Sequence, residues 1–503
     1  MGTNLASLLT DTAERDGDLT AIKLDDTEVN YGFLNDGSAR VAGMLAQRGF
    51  RKGDRVGIML PNVPYFAFIY YGILRAGGIV VPMNPLLKGR EVNYYLEDPG
   101  AKILFAWHDF AEAADEGASS AGADFIQIQP GEFENLLQHA DPEYEVADVS
   151  GDDTAVLLYT SGTTGSPKGA ELTHSNLKRN VEVTLSNLIQ IGEGDTLLGA
   201  LPLFHSFGQT CGLNCGVAAG ARLTLIPRFD PDKALEIIER DGVTIFEGVP
   251  TMYTAMLHAD KADEVDISCL RLCVSGGSAM PGEVMRAFEE KFGCKVLEGY
   301  GLSETSPVAS FNHPDRERKE GSIGTPIEGV EMKVVDEDRN EVPQGEVGEI
   351  AIRGHNIMKG YWERPDATAE SIDVDGWFYT GDMAYVDADG YFFIVDRKKD
   401  MIIRGGYNIY PREIEEVLYE HESVAECAVL GVPDDQMGEE VGAAVVLKGG
   451  GDASEDDLRE YVKEQVAGYK YPRKIWFEDE LPKGPTGKIL KKDIGVPEAV
   501  KTG

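Results

Sequence analysis

Basic residues are scarce in this chain of 503 residues. It has 47 lysines and arginines against 86 aspartates and glutamates, which gives a net charge of −39 at pH 7. A nucleic-acid-binding surface needs Lys and Arg side chains for its phosphate contacts, so the composition argues against that class of protein. Ordinary solubility needs a net charge of only about 2–8 for a small domain, whereas halophilic proteins tolerate large self-repulsion. The sequence therefore predicts a protein adapted to a salty cytoplasm.

Cysteine is also sparse, with 6 residues and no CxxC motif. Cys211 and Cys215 are four positions apart, as are Cys269 and Cys273, but neither pair has a nearby histidine that would complete a zinc site. We expect free, buried thiols in a reducing compartment, which favours a cytoplasmic location.

A secretory signal and a long uninterrupted hydrophobic run are both lacking. The first ten residues carry no Lys or Arg, and the most apolar segment, 65–83, contains Arg75 and follows Pro64. That pattern favours a buried helix followed by a buried strand at 78–82 over a membrane span. We expect no transmembrane segment; transient membrane contact stays open, as does the choice between a monomer and a homodimer.

The chain does contain a regular alternation of short apolar runs and helical patterns from residue 154 onward. The patterns predict these elements in order: strand 155–159, helix 176–188, strand 222–226, helix 232–239, strand 243–246, helix 251–257, strand 270–274, helix 281–292 and strand 295–298. Such alternation is typical of a mostly parallel α/β sheet with helices on both faces.

The pattern changes twice toward the carboxyl end. Strand patterns with Gly and Asp turns predict a β subdomain at about 324–395, and the charged run 396–400 follows it. Beyond that run a small α/β unit is predicted, with helices at 411–419 and 455–465 and strands at 426–430 and 443–447. We therefore expect an N-terminal domain over 1–396 and a C-terminal domain over 397–503.

The densest chemical signal is the segment 159–169, which follows a predicted strand. It holds three glycines and five serines or threonines, so backbone N–H groups can turn inward around an anion. Lys168 adds a positive charge. The segment is not a Walker A loop, because no Gly-Lys-Ser/Thr closes it and a proline precedes the lysine.

At these residues the chain resembles the adenylate-forming family of acyl-CoA synthetases, aryl-CoA ligases, peptide-synthetase adenylation domains and luciferases. Further segments resemble motifs of that family in the same order: 201–208, 274–279, 298–304, 379–382, 396–400 and 482–488. The resemblance implies a large N-terminal AMP-binding domain of α/β sheets with a β subdomain, and a small, mobile α/β C-terminal domain joined by a hinge.

The resemblance also implies roles for individual residues, and the residue types suit them. Thr160 and Glu304 are expected to hold Mg²⁺, a hard cation that takes one or two carboxylates plus phosphates. Asp382 and Arg397 suit the ribose hydroxyls, and Lys488 suits a bridge between the substrate carboxylate and the phosphate.

The candidate catalytic residues are Thr160, Glu304, Lys488 and His205. We interpret His205 as a wall of the acyl pocket in preference to a general base, because a carboxylic acid is already ionised at neutral pH. The positions expected to bind ATP and coenzyme A are Thr160, Ser161, Gly162, Thr163, Thr164, Gly165, Lys168, Gly276, Gly277, Ser278, Gly299, Tyr300, Gly301, Ser303, Asp382, Arg397, Lys399, Gly405, Gly406, Asn408 and Lys488.

The implied function is ATP-dependent activation of a carboxylic acid through an acyl-adenylate to an acyl-CoA thioester. The glycine pair at 405–406 and the uncharged residues at 208–213 and 275–279 favour a medium- or long-chain fatty acid. An aryl-CoA ligase of the 4-coumarate or benzoate type is the alternative enzyme, and an inactive nucleotide-binding regulator is the alternative from another class.

Overall fold

The computed structural model describes residues 2–160, 167–434, 436–449, 451–484 and 486–498. Its strands are β1 Thr20–Leu24, β2 Thr27–Asn30, β3 Arg55–Met59, β4 Ile79–Pro82, β5 Ile103–Trp107, β6 Asp124–Ile128, β7 Thr154–Thr160, β8 Lys168–Thr173, β9 Thr196–Gly199, β10 Arg222–Leu225, β11 Ile245–Gly248, β12 Leu272–Ser275, β13 Val296–Gly301, β14 Val308–Phe311, β15 Thr325–Pro326, β16 Val330–Val335, β17 Gly348–Gly354, β18 Gly360–Tyr361, β19 Phe378–Val386, β20 Phe392–Arg397, β21 Ile402–Arg404, β22 Tyr407–Ile409, β23 Val424–Asp434, β24 Gly438–Leu447 and β25 Lys474–Phe477.

The α-helices are α1 Ser7–Asp16, α2 Tyr31–Gln47, α3 Pro64–Arg75, α4 Gly89–Glu97, α5 Ala111–Ala121, α6 Glu132–Gln138, α7 His174–Val183, α8 Cys215–Ala219, α9 Pro231–Asp241, α10 Pro250–Leu257, α11 Gly282–Phe292, α12 Pro365–Ser371, α13 Pro411–Tyr419 and α14 Glu455–Gln465. Two π-helical segments, Thr184–Leu188 and Gly208–Asn214, extend α7 and precede α8.

Local sequence accounts for where helices begin and end, as α9 illustrates. The Asp230 side chain accepts a hydrogen bond from the Lys233 N–H at 2.8 Å, and Pro231 occupies the first turn. Gly242 follows the last turn with φ of +62°, a conformation that glycine adopts without steric cost.

Two sheets form most of the first 330 residues. In the described part of the chain, sheet A has the strand order β15-β14-β13-β12-β11-β9-β10-β1-β2, and sheet B has the order β18-β8-β7-β4-β3-β5-β6. Strands β9 to β13 run parallel within sheet A, and helices follow them, which confirms the predicted α/β class. The predicted strand at 155–159 is β7 and belongs to sheet B, so the alternating units divide between two sheets.

Helix α3 lies in the core shared by the two sheets. Phe66, Ile69 and Tyr70 of this helix are fully buried and belong to one hydrophobic cluster with Val56 of β3 and Leu223 of β10. The segment 65–83 therefore forms the buried helix and strand that its sequence predicts. None of the helices described here combines the length with the apolar composition that crossing a bilayer requires.

The β subdomain is sheet C, with the order β16-β17-β19-β20 and antiparallel pairing throughout. Strand β18 lies within the predicted range of this subdomain but pairs with β8 of sheet B. Strand β20 continues to Arg397, one residue beyond the expected domain boundary.

The C-terminal unit is sheet D, in which β22-β21-β24-β23 pair in that order and β25 pairs with β24. Helices α13 and α14 have the predicted bounds. They pack on the sheet through a separate core that includes Leu418, Val429, Val441 and Leu458. The unit thus has its own hydrophobic centre.

The cysteines form no disulfide among the described residues, and all except the partly buried Cys269 are buried. This agrees with the predicted free thiols.

Candidate active site

Two hydroxyl groups of sheet B meet the carboxylate of Glu304, which lies in the turn between β13 and β14. The Thr160 hydroxyl, at the end of β7, donates to Glu304 Oε1 at 3.1 Å, and the Tyr361 hydroxyl donates to the same oxygen at 3.0 Å. Glu304 is 8% exposed. Both hydrogen bonds use Oε1, and Oε2 has no hydrogen-bond partner among the described residues.

Tyr361 is a site residue that the sequence analysis missed. It belongs to β18, whose pairing with β8 places its ring 5.2 Å from the Lys168 ammonium. Burial raises the pKa of the Tyr361 hydroxyl above its usual value, and the charge of Glu304 raises it further, so it remains a hydrogen-bond donor. The sequence signal was weak, since a two-residue strand has no periodicity to detect.

Asp382 is the centre of a second group. The Tyr300 hydroxyl donates to Asp382 Oδ2 at 2.7 Å, and Arg397 Nε lies 3.6 Å from Asp382 Oδ1. Asp382 and Arg397 are direct cross-strand partners on β19 and β20. The predicted pair is thus adjacent, and Tyr300 from β13 orients the carboxylate.

Glycines allow close backbone approach where the strands end. A Cβ on Gly301 would lie 1.8 Å from the Pro307 carbonyl oxygen, so no larger residue fits there without backbone movement. Gly277 follows β12 with φ of +79°, and a Cβ on Gly276 would lie 2.9 Å from the Phe207 ring. Gly299 is packed beneath the Phe311 ring in the same way.

Lys488 of the C-terminal unit reaches this part of the N-terminal sheets. Its ammonium donates to the Gly277 carbonyl at 3.4 Å, and the Thr251 hydroxyl of α10 donates to the Gly487 carbonyl at 2.8 Å. Burial lowers the pKa of Lys488 to about 8, and the charge of Arg397 contributes to the shift. Ser278 and Lys488 also line a cavity of about 140 Å³ between the two units.

His205 lies close enough to Lys488 for the two groups to affect each other. Burial, aided by the charge of Lys488, lowers the pKa of His205 to about 4. The imidazole is therefore neutral at pH 7. Its Nδ1 accepts a hydrogen bond from the Phe207 N–H at 3.4 Å. A neutral ring with this pKa suits a pocket wall better than a general base.

The structure separates the exposed loop 405–408 from this group. Gly405 and Gly406 have φ of +56° and +86°, and Asn408 lies on β22; all three are exposed. Among the described residues, no hydrogen bond links them to the N-terminal sheets. Lys399 is exposed in the turn after β20, and Ser303 begins the short turn that carries Glu304. Ser161, Gly162, Thr163, Thr164 and Gly165 lie outside the described residues.

Two buried carboxyl groups have no role predicted from the sequence, although one of them opens the segment 298–304. Glu298 of β13 accepts a hydrogen bond from the Met280 N–H at 3.2 Å, and burial raises its pKa to about 7. Glu247 of β11 is 2% exposed and faces the π-helical segment that includes the uncharged residues 208–213. No pattern in a single strand distinguishes such an acid from a surface residue.

The oxygen atoms around Glu304 fit a cation that takes most of its ligands from water and substrate and few from protein side chains. Within the described residues there is no group of three or more His, Cys, Asp or Glu side chains able to hold a metal ion. One carboxylate and one hydroxyl are an incomplete set, which suits a magnesium ion that keeps waters and binds substrate phosphates.

Comparison with known proteins gives matches along most of the chain. A family model described as AMP-binding enzyme matches residues 9–362, and one described as AMP-binding enzyme C-terminal domain matches residues 413–488. The long-chain-fatty-acid–CoA ligase of Bacillus subtilis (strain 168) is 39% identical over 97% of this chain and 94% of its own length.

Feruloyl-CoA synthase of an Amycolatopsis species is also 39% identical, over 94% of this chain and 95% of its own. Among solved structures, ATP-bound MatB from Rhodopseudomonas palustris has a TM-score of 0.92 at 34% identity, with 98% of both chains covered. The apo structure of that protein has a TM-score of 0.81 at the same identity and coverage.

Proposed function

The chain belongs to the AMP-binding enzyme family and is an AMP-forming acid–CoA ligase, and we propose that its acid is a medium- or long-chain fatty acid. We propose in addition that the arrangement described above is the one that forms the acyl-adenylate. The ammonium of Lys488 against the Gly277 carbonyl is the observation that carries this proposal, because it brings the C-terminal unit to the turn that follows β12.

The first step transfers the adenylyl group. One oxygen of the substrate carboxylate attacks the α-phosphorus of ATP, the bond to the bridging oxygen breaks, and pyrophosphate leaves with that electron pair. In this proposal Lys488 contacts both the carboxylate and the α-phosphate and stabilises the charge that accumulates between them. Asp382 and Arg397 bind the ribose hydroxyls, and Gly276–Ser278 contact the adenine.

Magnesium is the implied metal, and the oxygen donors fit it. Thr160 and Glu304 would hold the ion, which when bound neutralises phosphate charge. Tyr361 fixes the Glu304 carboxylate through Oε1, and the phosphate groups would lie against Lys168 and the segment 161–165.

The second step forms the thioester. The sulfur of coenzyme A attacks the acyl carbon, and AMP leaves from the mixed anhydride. We propose that the C-terminal unit turns about the hinge at 396–400 for this step and presents Gly405, Gly406 and Asn408. The exposed position of this loop supports the proposal, because nothing in it contributes to the arrangement around Lys488.

The fatty acid assignment is supported by the Bacillus relative and by the walls proposed for the acyl pocket. Residues 208–213 are buried and uncharged, so they suit an apolar chain. Each buried methylene contributes about 0.8 kcal/mol, which favours medium chains over acetate by about 10² or more. The feruloyl-CoA synthase, at equal identity, favours an aryl acid as the second candidate.

A panel of acids tests the assignment. We expect ATP- and CoA-dependent thioester formation in molar KCl with the highest kcat/KM for a saturated acid between C6 and C16. A higher kcat/KM for benzoate or 4-coumarate than for every saturated acid would establish the aryl alternative. Absence of acid-dependent pyrophosphate release would instead favour a nucleotide-binding regulator.

The high net negative charge supports a further proposal, that the enzyme works at high salt in the cytoplasm.

A further inference from the structure

Glu247 is a buried acid with an unsatisfied carboxyl oxygen in the part of the chain that the structure describes. It is the third residue of β11 and is 2% exposed. Its Oε1 atom has no hydrogen-bond partner, and no ion pair involves Glu247 among the residues that the structure describes. Buried polar groups in proteins are nearly always hydrogen-bonded, so an orphaned carboxyl group requires an explanation.

Some other buried polar side chains in the same domain have partners, although buried oxygen atoms of Gln209 and Thr210 in the neighbouring π-helical segment have none among the described residues. Asp241, at the end of α9, accepts hydrogen bonds from Lys23, Arg240 and Thr224. Its pKa falls below the usual range because these donors outweigh its burial. Asn214, in the π-helical segment that Glu247 faces, bonds the hydroxyls of Tyr70 and Tyr71. The fold thus provides partners for Asp241 and Asn214, but none of the described residues provides one for Glu247 Oε1.

The orientation of Glu247 places it at the proposed acyl pocket. A Cβ on Gly212 would lie 3.5 Å from Glu247 Oε2. Burial raises the pKa values of the Cys211 and Cys215 thiols, and the charge of Glu247 is close enough to raise them further. The next residue, Gly248, accepts a hydrogen bond from the Gly276 N–H at 3.2 Å. The acid therefore lies between the π-helical wall and the turn that Lys488 contacts.

The protonation state suits recognition of an uncharged polar group. Burial raises the pKa of Glu247 to about 8, so the carboxyl group keeps its proton at pH 7. In that form it has one O–H donor and a carbonyl acceptor. A hydroxyl group can pair with both functions, since it donates and accepts.

We propose that Glu247 is a specificity-determining residue that binds a hydroxyl group on the acyl chain of the substrate. This inference rests on the proposed function and narrows it to hydroxylated acids. Either an alkyl chain or an aryl ring could carry the hydroxyl. A site with a buried polar group discriminates against an analogue that leaves the group unpaired, by factors that reach about 10⁴ in favourable cases.

Matched pairs of acids test the proposal. The pairs are octanoate with 8-hydroxyoctanoate and cinnamate with 4-hydroxycinnamate, assayed as kcat/KM for thioester formation. We expect the wild-type enzyme to favour the hydroxylated member of at least one pair by about tenfold or more, the effect of one neutral hydrogen bond. Glu247→Gln, which can still donate and accept, should retain a preference, whereas Glu247→Leu should lose it.

The pH dependence of the same ratio separates recognition from a structural role. Above about pH 8 the wild-type carboxylate ionises and rejects an unsubstituted chain more strongly. The preference for the hydroxylated acid should therefore rise between pH 7 and pH 9 in the wild type and stay flat in Glu247→Gln.

Two outcomes overturn the inference in distinguishable ways. If wild type and Glu247→Leu form thioesters with the same kcat/KM ratios for hydroxylated and unsubstituted acids, Glu247 does not determine specificity and the proposed function still stands. If no acid causes pyrophosphate release, both the role of Glu247 and the proposed function are wrong. If Glu247→Leu does not fold, a wild-type preference for the hydroxylated acid that stays constant between pH 7 and pH 9 would by itself contradict the inference.

Discussion

Lys488 keeps its positive charge only up to mildly alkaline pH. Burial lowers its pKa to about 8, and the Arg397 charge adds to this. We expect kcat/KM for ATP in acid-dependent ATP–pyrophosphate exchange to fall as pH rises through about 8, because the neutral amine no longer stabilises the phosphate charge. Lys488→Arg, whose guanidinium stays charged, should show lower activity without this decline. The same alkaline decline in both proteins would assign it to another group.

The Tyr361 hydroxyl should matter to the metal and phosphate site because, among the described site residues, it donates a hydrogen bond to Glu304. Tyr361→Phe removes the 3.0 Å hydrogen bond to the carboxylate and keeps the aromatic ring. A hydrogen bond to a charged group contributes about 1.5–3 kcal/mol, so adenylation should fall by about 10–150-fold.

Magnesium titration of the exchange reaction provides the measurement, and we expect a higher magnesium requirement in Tyr361→Phe. Tyr385→Phe is the matched control, since its ring stacks on Phe393 at 5.0 Å in sheet C. An unchanged magnesium dependence in Tyr361→Phe would show that the tyrosine does not position Glu304.

At the level of elements, the loop between β21 and β22 is expected to act in the second step alone. A Cβ on Gly406 meets nothing within 4 Å, and φ is +86°. Gly406→Leu should therefore leave adenylation intact while it slows conversion of supplied acyl-AMP to thioester. Gly406→Ala carries the same backbone strain with a smaller side chain. The difference in thioester formation between the two variants therefore measures the effect of side-chain size near the thiol. Equal loss of both steps in the two variants would contradict this role.

Many elements could be predicted from sequence because their signals are local. Helices 411–419 and 455–465 have the predicted bounds, since proline opens the first and Ser454 caps the second. The helix predicted over 176–188 is only partly right, because the α-helix ends at Val183 and a π-helical turn completes it. Apolar periodicity does not distinguish those two hydrogen-bonding patterns.

The features that could not be predicted from the sequence depend on pairing between strands that lie far apart along the chain. The alternating pattern from residue 154 gives no sign that β7 pairs with β4 in sheet B while β9 to β13 form sheet A with β1 and β2. The contact of Tyr361 with Glu304 depends on β18 crossing from the range of the β subdomain to sheet B. In the sequence, Glu247 is an acidic residue within a strand. Only the three-dimensional packing reveals that it is buried and that its Oε1 has no partner among the described residues.

For the whole molecule, the net charge of −39 predicts dependence on salt. Screening shortens from about 10 Å at 0.1 M to about 3 Å at 1 M, so repulsion between distant surface carboxylates is largely removed in molar salt. We expect the melting temperature and the activity to rise between about 0.1 M and 2 M KCl, the range of this screening change.

Sucrose is the control for that experiment, because excluded solutes stabilise folded proteins without screening charge. A melting temperature that is equal in dilute and molar KCl, or that rises as much in sucrose, would contradict the charge-based explanation.

The central claim is that the docked Lys488 serves adenylation and not thioester formation. The most direct test measures both half-reactions in Lys488→Ala, with Lys483→Ala as control because Lys483 lies in the same loop and pairs with Glu426. We predict that acid-dependent ATP–pyrophosphate exchange falls by about 10²–10³, the effect of one transition-state donor, while supplied acyl-AMP is still converted to acyl-CoA. Equal loss of both half-reactions, or unchanged exchange, would contradict the account.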